Sequence, residues 1–182
     1  MKSLVTGGAG FIGSHLVDQL VNNGHKVIVL DNFSTGKQSN LSHHSKKNVK
    51  IIKIDISENK KLKKYLRGVS YVFHLAGLAN FFQSIKNPNK YFKSNVIGTF
   101  NIIEAARKSN IKKFIYAASA SCYGIPDKFP TNENAKIKLL NPSASRVILS
   151  SDEYINPSYI GLDEALEIEN TKVLIFGKPT SK

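Results

Sequence analysis

The chain has 182 residues, a mass of 20.1 kDa, 41% apolar and 21% charged residues, and a formal net charge of +13 with a pI near 9.8. That is room for one ordinary domain, or one plus a fragment, with enough apolar content for a packed core. A single Cys excludes an intramolecular disulfide and a Cys-based zinc site and points to a reducing, cytoplasmic compartment, and no apolar run reaches the roughly 18 residues of a membrane span.

Short β-rich runs alternate with longer amphipathic ones. Lys2–Thr6 predicts a strand, and with a strand at the start no targeting leader is expected. Residues 12–23 predict a helix with Leu16, Val17, Leu20 and Val21 at helical spacing, stopped by Gly24. Residues 26–30 form a second strand. The Ser, Asn, His and Lys crowded into 34–50 read as an exposed loop. Residues 49–54 predict a strand, 60–66 a helix and 71–75 a strand. Pro88 opens a long helix through Lys108, with Val96, Phe100, Ile103 and Ala106 on its apolar stripe, and 113–118 is the fifth strand. Apolar strands separated by helices predict an α/β fold, a doubly wound parallel sheet covered on both faces.

The strongest local signal lies between the first strand and helix. Gly7, Gly10 and Gly13 are spaced G-x-x-G-x-x-G, a variant of the dinucleotide fingerprint. Glycine lets the backbone turn tightly and approach a pyrophosphate, and the helix N-terminus offers N–H groups to the anion. Asp31 ends the second strand, placed to accept hydrogen bonds from an adenosine ribose and to repel a 2′-phosphate, which favours NAD over NADP. A Gly-rich structural turn with an Asp helix cap would explain the same residues more plainly. The strand, helix and strand-end Asp together favour nucleotide binding.

The residues 6–14, reading Thr-Gly-Gly-Ala-Gly-Phe-Ile-Gly-Ser, with Asp31-Asn32-Phe33-Ser34-Thr35-Gly36, resemble the extended short-chain dehydrogenase/reductases, nearest the NAD-dependent nucleotide-sugar epimerase/dehydratase group of UDP-glucose 4-epimerase type. The resemblance runs on through Asp55-Ile56, His74-Leu75-Ala76-Gly77, Asn95-Val96-Ile97-Gly98-Thr99 and the run Ser119 to Gly124, and so covers residues 1–142. It implies a Rossmann-type sheet with NAD as cofactor, a nucleotide sugar of the UDP-sugar class as partner, and a homodimer. Gly7, Gly10, Phe11, Ile12 and Gly13 would cradle the pyrophosphate. Asp31, Asn32, Ser34, Thr35 and Gly36 would hold the ribose, and Asp55 and Ile56 the adenine. Leu75, Ala76, Gly77 and Asn95 would line the path to the nicotinamide. Ser119 would be the catalytic Ser/Thr. His74 reads as a packed strand-end residue, and Ser121 and Cys122 as lining. His43-His44 reads as loop surface, since two adjacent His do not share a helical face for a metal; no metal site is expected.

The same resemblance calls for a Tyr base with a Lys four residues on, whose charge lowers the phenol pKa. None of the seven Tyr has Lys at that spacing, and after Leu140-Asn141-Pro142 the chain reads Ser143-Ala144-Ser145-Arg146-Val147. Residues 142–182, with Asn156-Pro157-Ser158-Tyr159 and Phe176-Gly177-Lys178-Pro179, resemble instead a C-terminal fragment of the formate-dependent phosphoribosylglycinamide formyltransferases, an ATP-grasp family in which Lys178 would hold a substrate phosphate. Charge changes at the same place: residues 1–140 carry +15 and 141–182 carry −2. Two parts are therefore expected, 1–141 an NAD-binding half-domain and 142–182 an ATP-grasp-like fragment, with impaired turnover. The alternative is an NAD-binding regulatory module or a fusion remnant without activity. The basic side is 23 Lys and 3 Arg with no nucleic-acid recognition motif, so nucleic acid is not an expected partner, and neither is a membrane. The truncated sheet would leave the fifth strand as an open edge, which residues 172–176 could cover as a replacement strand.

Overall fold

The computed structural model describes residues 1–58, 61–119, 130–131 and 172–176. The run at 120–124 lies outside them. Strands β1 (Lys2–Thr6), β2 (Lys26–Asp31), β3 (Val49–Lys53), β4 (Tyr71–His74), β5 (Lys113–Ser119) and β6 (Lys172–Phe176) form one parallel sheet in the order β3-β2-β1-β4-β5-β6. Helix α1 (Phe11–Asn22) joins β1 to β2. Helices α2 (Phe81–Lys86), α3 (Pro88–Phe92) and α4 (Gly98–Arg107) lie between β4 and β5. No helix among the described residues is long and apolar enough to cross a membrane.

Alternation along the strands fills two cores. Leu4, Ile28, Leu30, Val72 and Phe114 point to one face, where Ile102, Ala105 and Ala106 of α4 close over them with Leu62, Leu66 and Val69. Val5, Val27 and Val29 point to the other, against Val17 and Leu20 of α1 and Leu41. Each such fully buried aliphatic side chain contributes about 1.5–3 kcal/mol of transfer free energy. A sheet buried on both faces therefore needs near-continuous apolar strands, which is why β1 and β2 carry them.

Three local expectations change. The helix expected at 60–66 is a single 3-10 turn, Leu62–Tyr65. Its apolar pair, Leu62 and Leu66, is buried, but four Lys crowd the segment and Gly68 (φ +71°) ends it, too short a run to sustain an α-helix. The expected loop at 34–50 contains a 3-10 turn, Gln38–Leu41, and it is pinned: Lys37 N–H and Asn40 Nδ2 both donate to Ala9 O, at 3.0 and 2.9 Å. Helix α2 was not expected. Its sequence signal is Asn80-Phe81-Phe82-Gln83, half of a capping box, and the Asn80 side chain accepts from Gln83 N–H at 3.0 Å.

The long helix expected from Pro88 is present as α3 and α4, with a wide π turn at Lys93–Ile97 between them. The strand at 172–176 lies beside β5 as expected, with Ile115 paired to Lys172 and Ser119 to Phe176. The opposite edge, β3, carries exposed Lys50 and Lys53, which discourage edge-to-edge association. A chain ending at residue 141 should therefore expose the β5 edge. It should melt lower and form concentration-dependent aggregates in light scattering; a monodisperse truncated chain with unchanged melting would show that β6 adds nothing.

Candidate dinucleotide-binding site

The chain enters the sheet at β1, runs outward through β2 and β3, then returns to the other side of β1 at β4. This reversal opens a crevice beyond the carboxyl ends of β1 and β4, where open α/β sheets bind ligands. A cleft of about 570 Å³ lies there. It is lined by Gly7, Gly10, Phe11, Ile12, Gly13, Asp31, Asn32, Ser34, Thr35, Asp55, Ile56, Leu75, Ala76, Gly77 and Asn95. Among the expected cofactor residues, only Gly36 is not part of the lining. It packs against the glycine turn instead, where an added Cβ would stand 2.8 Å from the Ala9 carbonyl carbon.

The glycines of the turn have different reasons. Gly7 is in the left-handed region (φ +67°), and a Cβ there would stand 2.7 Å from Ala76 N. At Gly13 a Cβ would run into Gly7 O and come within 2.7 Å of Gly8 Cα. Gly10, at φ −74°, would meet only Gly7 O at 3.3 Å. The fold itself requires two of the three; the third leaves room in the cleft. Gly10 is the N-cap of α1 and brings no side-chain acceptor, so the first-turn N–H groups lack an intrahelical partner. Phe11 and Ile12 beside them are 79% and 51% exposed, apolar surface that a bound ligand would cover.

Asp31 has a part in the fold besides its expected one. Its Oδ2 accepts from Ala9 N–H at 2.9 Å and its Oδ1 from Phe33 N–H at 2.8 Å, tying the glycine turn to the next loop. Phe33 follows with φ +58°, a strained conformation for a bulky residue that these bonds hold. A carboxylate offers about four acceptor positions, so capacity remains for a diol. Asp55 accepts from Asn32 Nδ2 at 3.0 Å and from Ser57 N–H and Oγ–H at 2.9 and 2.6 Å. Partial burial works to raise its pKa, but the Ser57 and Asn32 hydrogen bonds outweigh it and keep the carboxyl below its usual range. Both carboxylates line the same end of the cleft and make it acidic.

Asn95 sits on the π turn and grips one residue of the opposite wall. Its Oδ1 accepts from Leu78 N–H at 2.8 Å and its Nδ2 donates to Leu78 O at 2.9 Å. The extra residue of a π turn aims this side chain at the cleft, a frequent use of that geometry.

Behind the cleft lies a buried chain of hydrogen bonds whose protons can be assigned. Thr99 Oγ1 donates to Asn95 O at 2.6 Å, so it must accept from His74 Nε2 at 2.9 Å. His74 Nδ1 is then the acceptor for Thr6 Oγ1 at 2.6 Å, and Thr6 Oγ1 accepts from Ala76 N–H at 3.2 Å. Burial alone pushes the imidazole pKa down to about 3, so it is neutral. As expected, His74 is a packed strand-end residue. Its unforeseen part is to join the ends of β1 and β4 to α4, and so to position both Ala76 and Asn95. The spacing of Thr6, His74 and Thr99 in sequence carries no signal for this.

Among lining residues not expected are Asn80, Ser84, Tyr91, Ser94 and Tyr116. Ser119 ends β5 on the cleft side of the sheet by its place in the strand order; its side chain lies outside the described residues. His43 is exposed loop surface as expected, whereas the His44 side chain is largely buried. Both converge on Asp18 of α1.

A parallel sheet with this strand order, a glycine turn feeding α1, and acidic residues at the ends of β2 and β3 defines a nucleotide-binding α/β protein of Rossmann type. The chain belongs to the NAD dependent epimerase/dehydratase family, whose model matches residues 3–145. A second model, PurT, C-terminal, matches residues 143–182. A bifunctional UDP-glucose 4-epimerase and UDP-xylose 4-epimerase of Pisum sativum is 39% identical over 154 residues, covering 78% of this chain and 43% of that protein. The UDP-glucose 4-epimerase of Thermotoga maritima, solved with UDP-glucose, superposes with a TM-score of 0.79 at 34% identity over 96% of this chain and 55% of its own. That of Brucella ovis, solved with NAD, gives 0.79 at 28% identity over 96% and 51%. The chain thus spans about half the length of the relatives it matches. The family's cofactor, NAD, fits the cleft on the evidence of its geometry: a Cβ-free cradle at the N-terminus of α1, uncovered apolar residues beside it, and an acidic end with no cation among the cleft-lining residues.

Proposed function

We propose that residues 1–141 are the NAD-binding half of a UDP-sugar epimerase-type protein, that this half holds NAD, and that the chain turns a nucleotide sugar over poorly or not at all. The observation that carries the proposal is the cleft at the β1/β4 reversal together with the missing Tyr-x-x-x-Lys pair. Bound NAD would supply the hydride acceptor and donor for one carbon of the sugar. The first turn of α1 would bind the pyrophosphate, Asp31 the ribose diol, and Asp55 the adenine amino group. Asn95, by holding Leu78, shapes the wall on the way to the nicotinamide end. Ser119 would hydrogen-bond the sugar hydroxyl. No Tyr-Lys pair stands in the chain to take the proton from that hydroxyl, and a serine hydroxyl is a poor base at neutral pH.

Residues 142–182 are, on this reading, a fragment of a second family joined where the epimerase continuation should begin. The match at 143–182 and the change in charge near 140 support it. An NAD-binding regulatory module, or a fusion remnant, is the alternative, and the missing base favours it over full activity.

Calorimetric titration of the full chain with NAD and with NADP tests the cofactor. NAD should bind and NADP should bind at least about tenfold more weakly, because Asp31 repels the added phosphate. No heat and no thermal shift with NAD would overturn the cofactor reading. Ordinary turnover of UDP-glucose by the purified chain would overturn the impairment.

A further inference from the structure

We propose that Asp18, His43 and His44 form a binding site for one divalent transition-metal ion of the zinc and nickel class, linking α1 to the loop that follows the adenosine-binding turn. The three ligand atoms come from two segments. Asp18 lies on α1, and the two histidines follow the 3-10 turn at Gln38–Leu41. Both Nε2 atoms approach the same carboxylate oxygen, His43 at 2.9 Å and His44 at 2.7 Å, and all three ligand atoms lie within 4.8 Å of one another.

Adjacent histidines on a helix or strand would diverge. Here the chain turns between them: Ser42 N–H donates to Ser39 O and His44 N–H to Leu41 O, while Leu41 is buried in the core under α1. The rings come to lie with centroids 4.1 Å apart. His44 is only 9% exposed, so its ring is held by packing, whereas His43 is 58% exposed and can adjust. The loop is pinned at its other end by the Lys37 and Asn40 bonds to Ala9.

The geometry is close to what a metal needs. Two donors bound to zinc at about 2.0–2.1 Å in tetrahedral array stand roughly 3.3 Å apart. The two Nε2–Asp18 separations would have to open by about half an ångström and the two Nε2 atoms, within 4.8 Å of each other, would have to settle at that spacing, with most of the movement falling to the exposed His43 ring. At present both Nε2 atoms must carry a proton to donate to Asp18. Neither Nδ1 makes a hydrogen bond among the described residues, so each proton can move to Nδ1 without breaking another bond and leave Nε2 to the ion. Two imidazoles and one carboxylate suit borderline divalent metals and do not suit magnesium or calcium, which want oxygen ligands. Exposed Lys46 and Lys47 follow in the chain and oppose a cation, so the Asp18 charge is needed. Partial burial acts to raise that carboxyl's pKa, but the bonds to His43 and His44 outweigh it, and Asp18 is ionised at neutral pH. An ion here would close a loop of 26 residues between Asp18 and His44. The inference does not depend on NAD.

Titration of the full chain with ZnCl2 and NiCl2 in a non-chelating buffer, followed by calorimetry and by thermal melting, tests it. One ion should bind per chain, and melting should rise. His43→Ala, which touches only an exposed side chain, and Asp18→Asn should each weaken binding at least about tenfold. His15→Ala, on the preceding turn of α1, should leave it unchanged. Absence of saturable binding, equal binding by His43→Ala, an equal loss in His15→Ala, or comparable binding of MgCl2 would each overturn the proposal.

Discussion

Gly10→Ala should fold about as stably as the parent chain yet bind NAD at least about tenfold more weakly, whereas Gly7→Ala and Gly13→Ala should lose the fold. The separation follows from what each Cβ would meet. At Gly7 the left-handed backbone alone costs about 1–2 kcal/mol for an L-residue, and the contact is with backbone atoms of Ala76 that cannot move without displacing the end of β4. At Gly13 the clash is with Gly7 O and Gly8 Cα, the turn itself. Overlaps of that kind, with nothing flexible to yield, consume several kcal/mol of a domain stability that totals about 5–15. Gly10 has an ordinary φ, and its one neighbour, Gly7 O at 3.3 Å, need give by only a few tenths of an ångström, so alanine changes stability by about 1 kcal/mol or less. It does narrow the approach of a pyrophosphate to the α1 N-terminus. Chemical denaturation and NAD calorimetry on the three variants check the result. Gly10→Ala with unchanged NAD affinity would remove the glycine turn from the cofactor site, and a stable Gly7→Ala would contradict the close approach to Ala76.

His74→Phe should be about 2 kcal/mol less stable than the parent at pH 7.5, and the difference should vanish near pH 5. The ring replaces the imidazole at similar size but leaves the buried Thr6 hydroxyl without an acceptor, at about 1–3 kcal/mol. The pH dependence has its own sign. Burial lowers the folded-state pKa to about 3, below the 6.5 of the unfolded chain. Between those values the unfolded state binds the extra proton, so the parent's stability is full above pH 6.5 and falls by about 1.4 kcal/mol per unit as pH drops. Phe has no such proton, and the two curves meet after about 1.5 units. Urea unfolding at pH 7.5, 6.5, 5.5 and 5.0 measures this. Parallel curves over that range would mean that His74 is not held neutral. Below pH 4 the low-pKa carboxylates also titrate: Glu104, held by hydrogen bonds from Arg107 and Lys108 at about 2, and Asp55. Comparison is therefore cleanest above pH 5.

Much of the architecture could be read along the chain because it is written in local chemistry. Continuous apolar runs such as 27–30 can only be strands covered on both faces, and a glycine turn between strand and helix has few uses other than approaching a phosphate. The misreadings share one cause. The run at 60–66 has helical spacing over seven residues, too few for spacing to decide against four lysines. The run at 34–50 reads as an exposed loop because its anchors, Ala9 O and the core cluster under α1 that takes Leu41, lie far earlier in the chain.

What the sequence by itself determined is the family, the glycine turn, the acidic strand end at Asp31, the absence of a Tyr-Lys pair and the change of character after residue 140. Each depends on residue type at short spacing. Only the tertiary structure decided that Gly7 and Gly13 serve the fold and Gly10 the cleft, since Ala76 and Gly8 must be brought beside them. It alone ordered the protons from Ala76 through His74 to Asn95, because hydrogen bonds across 25 to 70 residues leave no periodicity. It also turned two adjacent histidines onto one carboxylate. Their backbone follows a turn anchored by buried Leu41, and its contact with the core under α1 joins residues too far apart in the chain for local spacing to record.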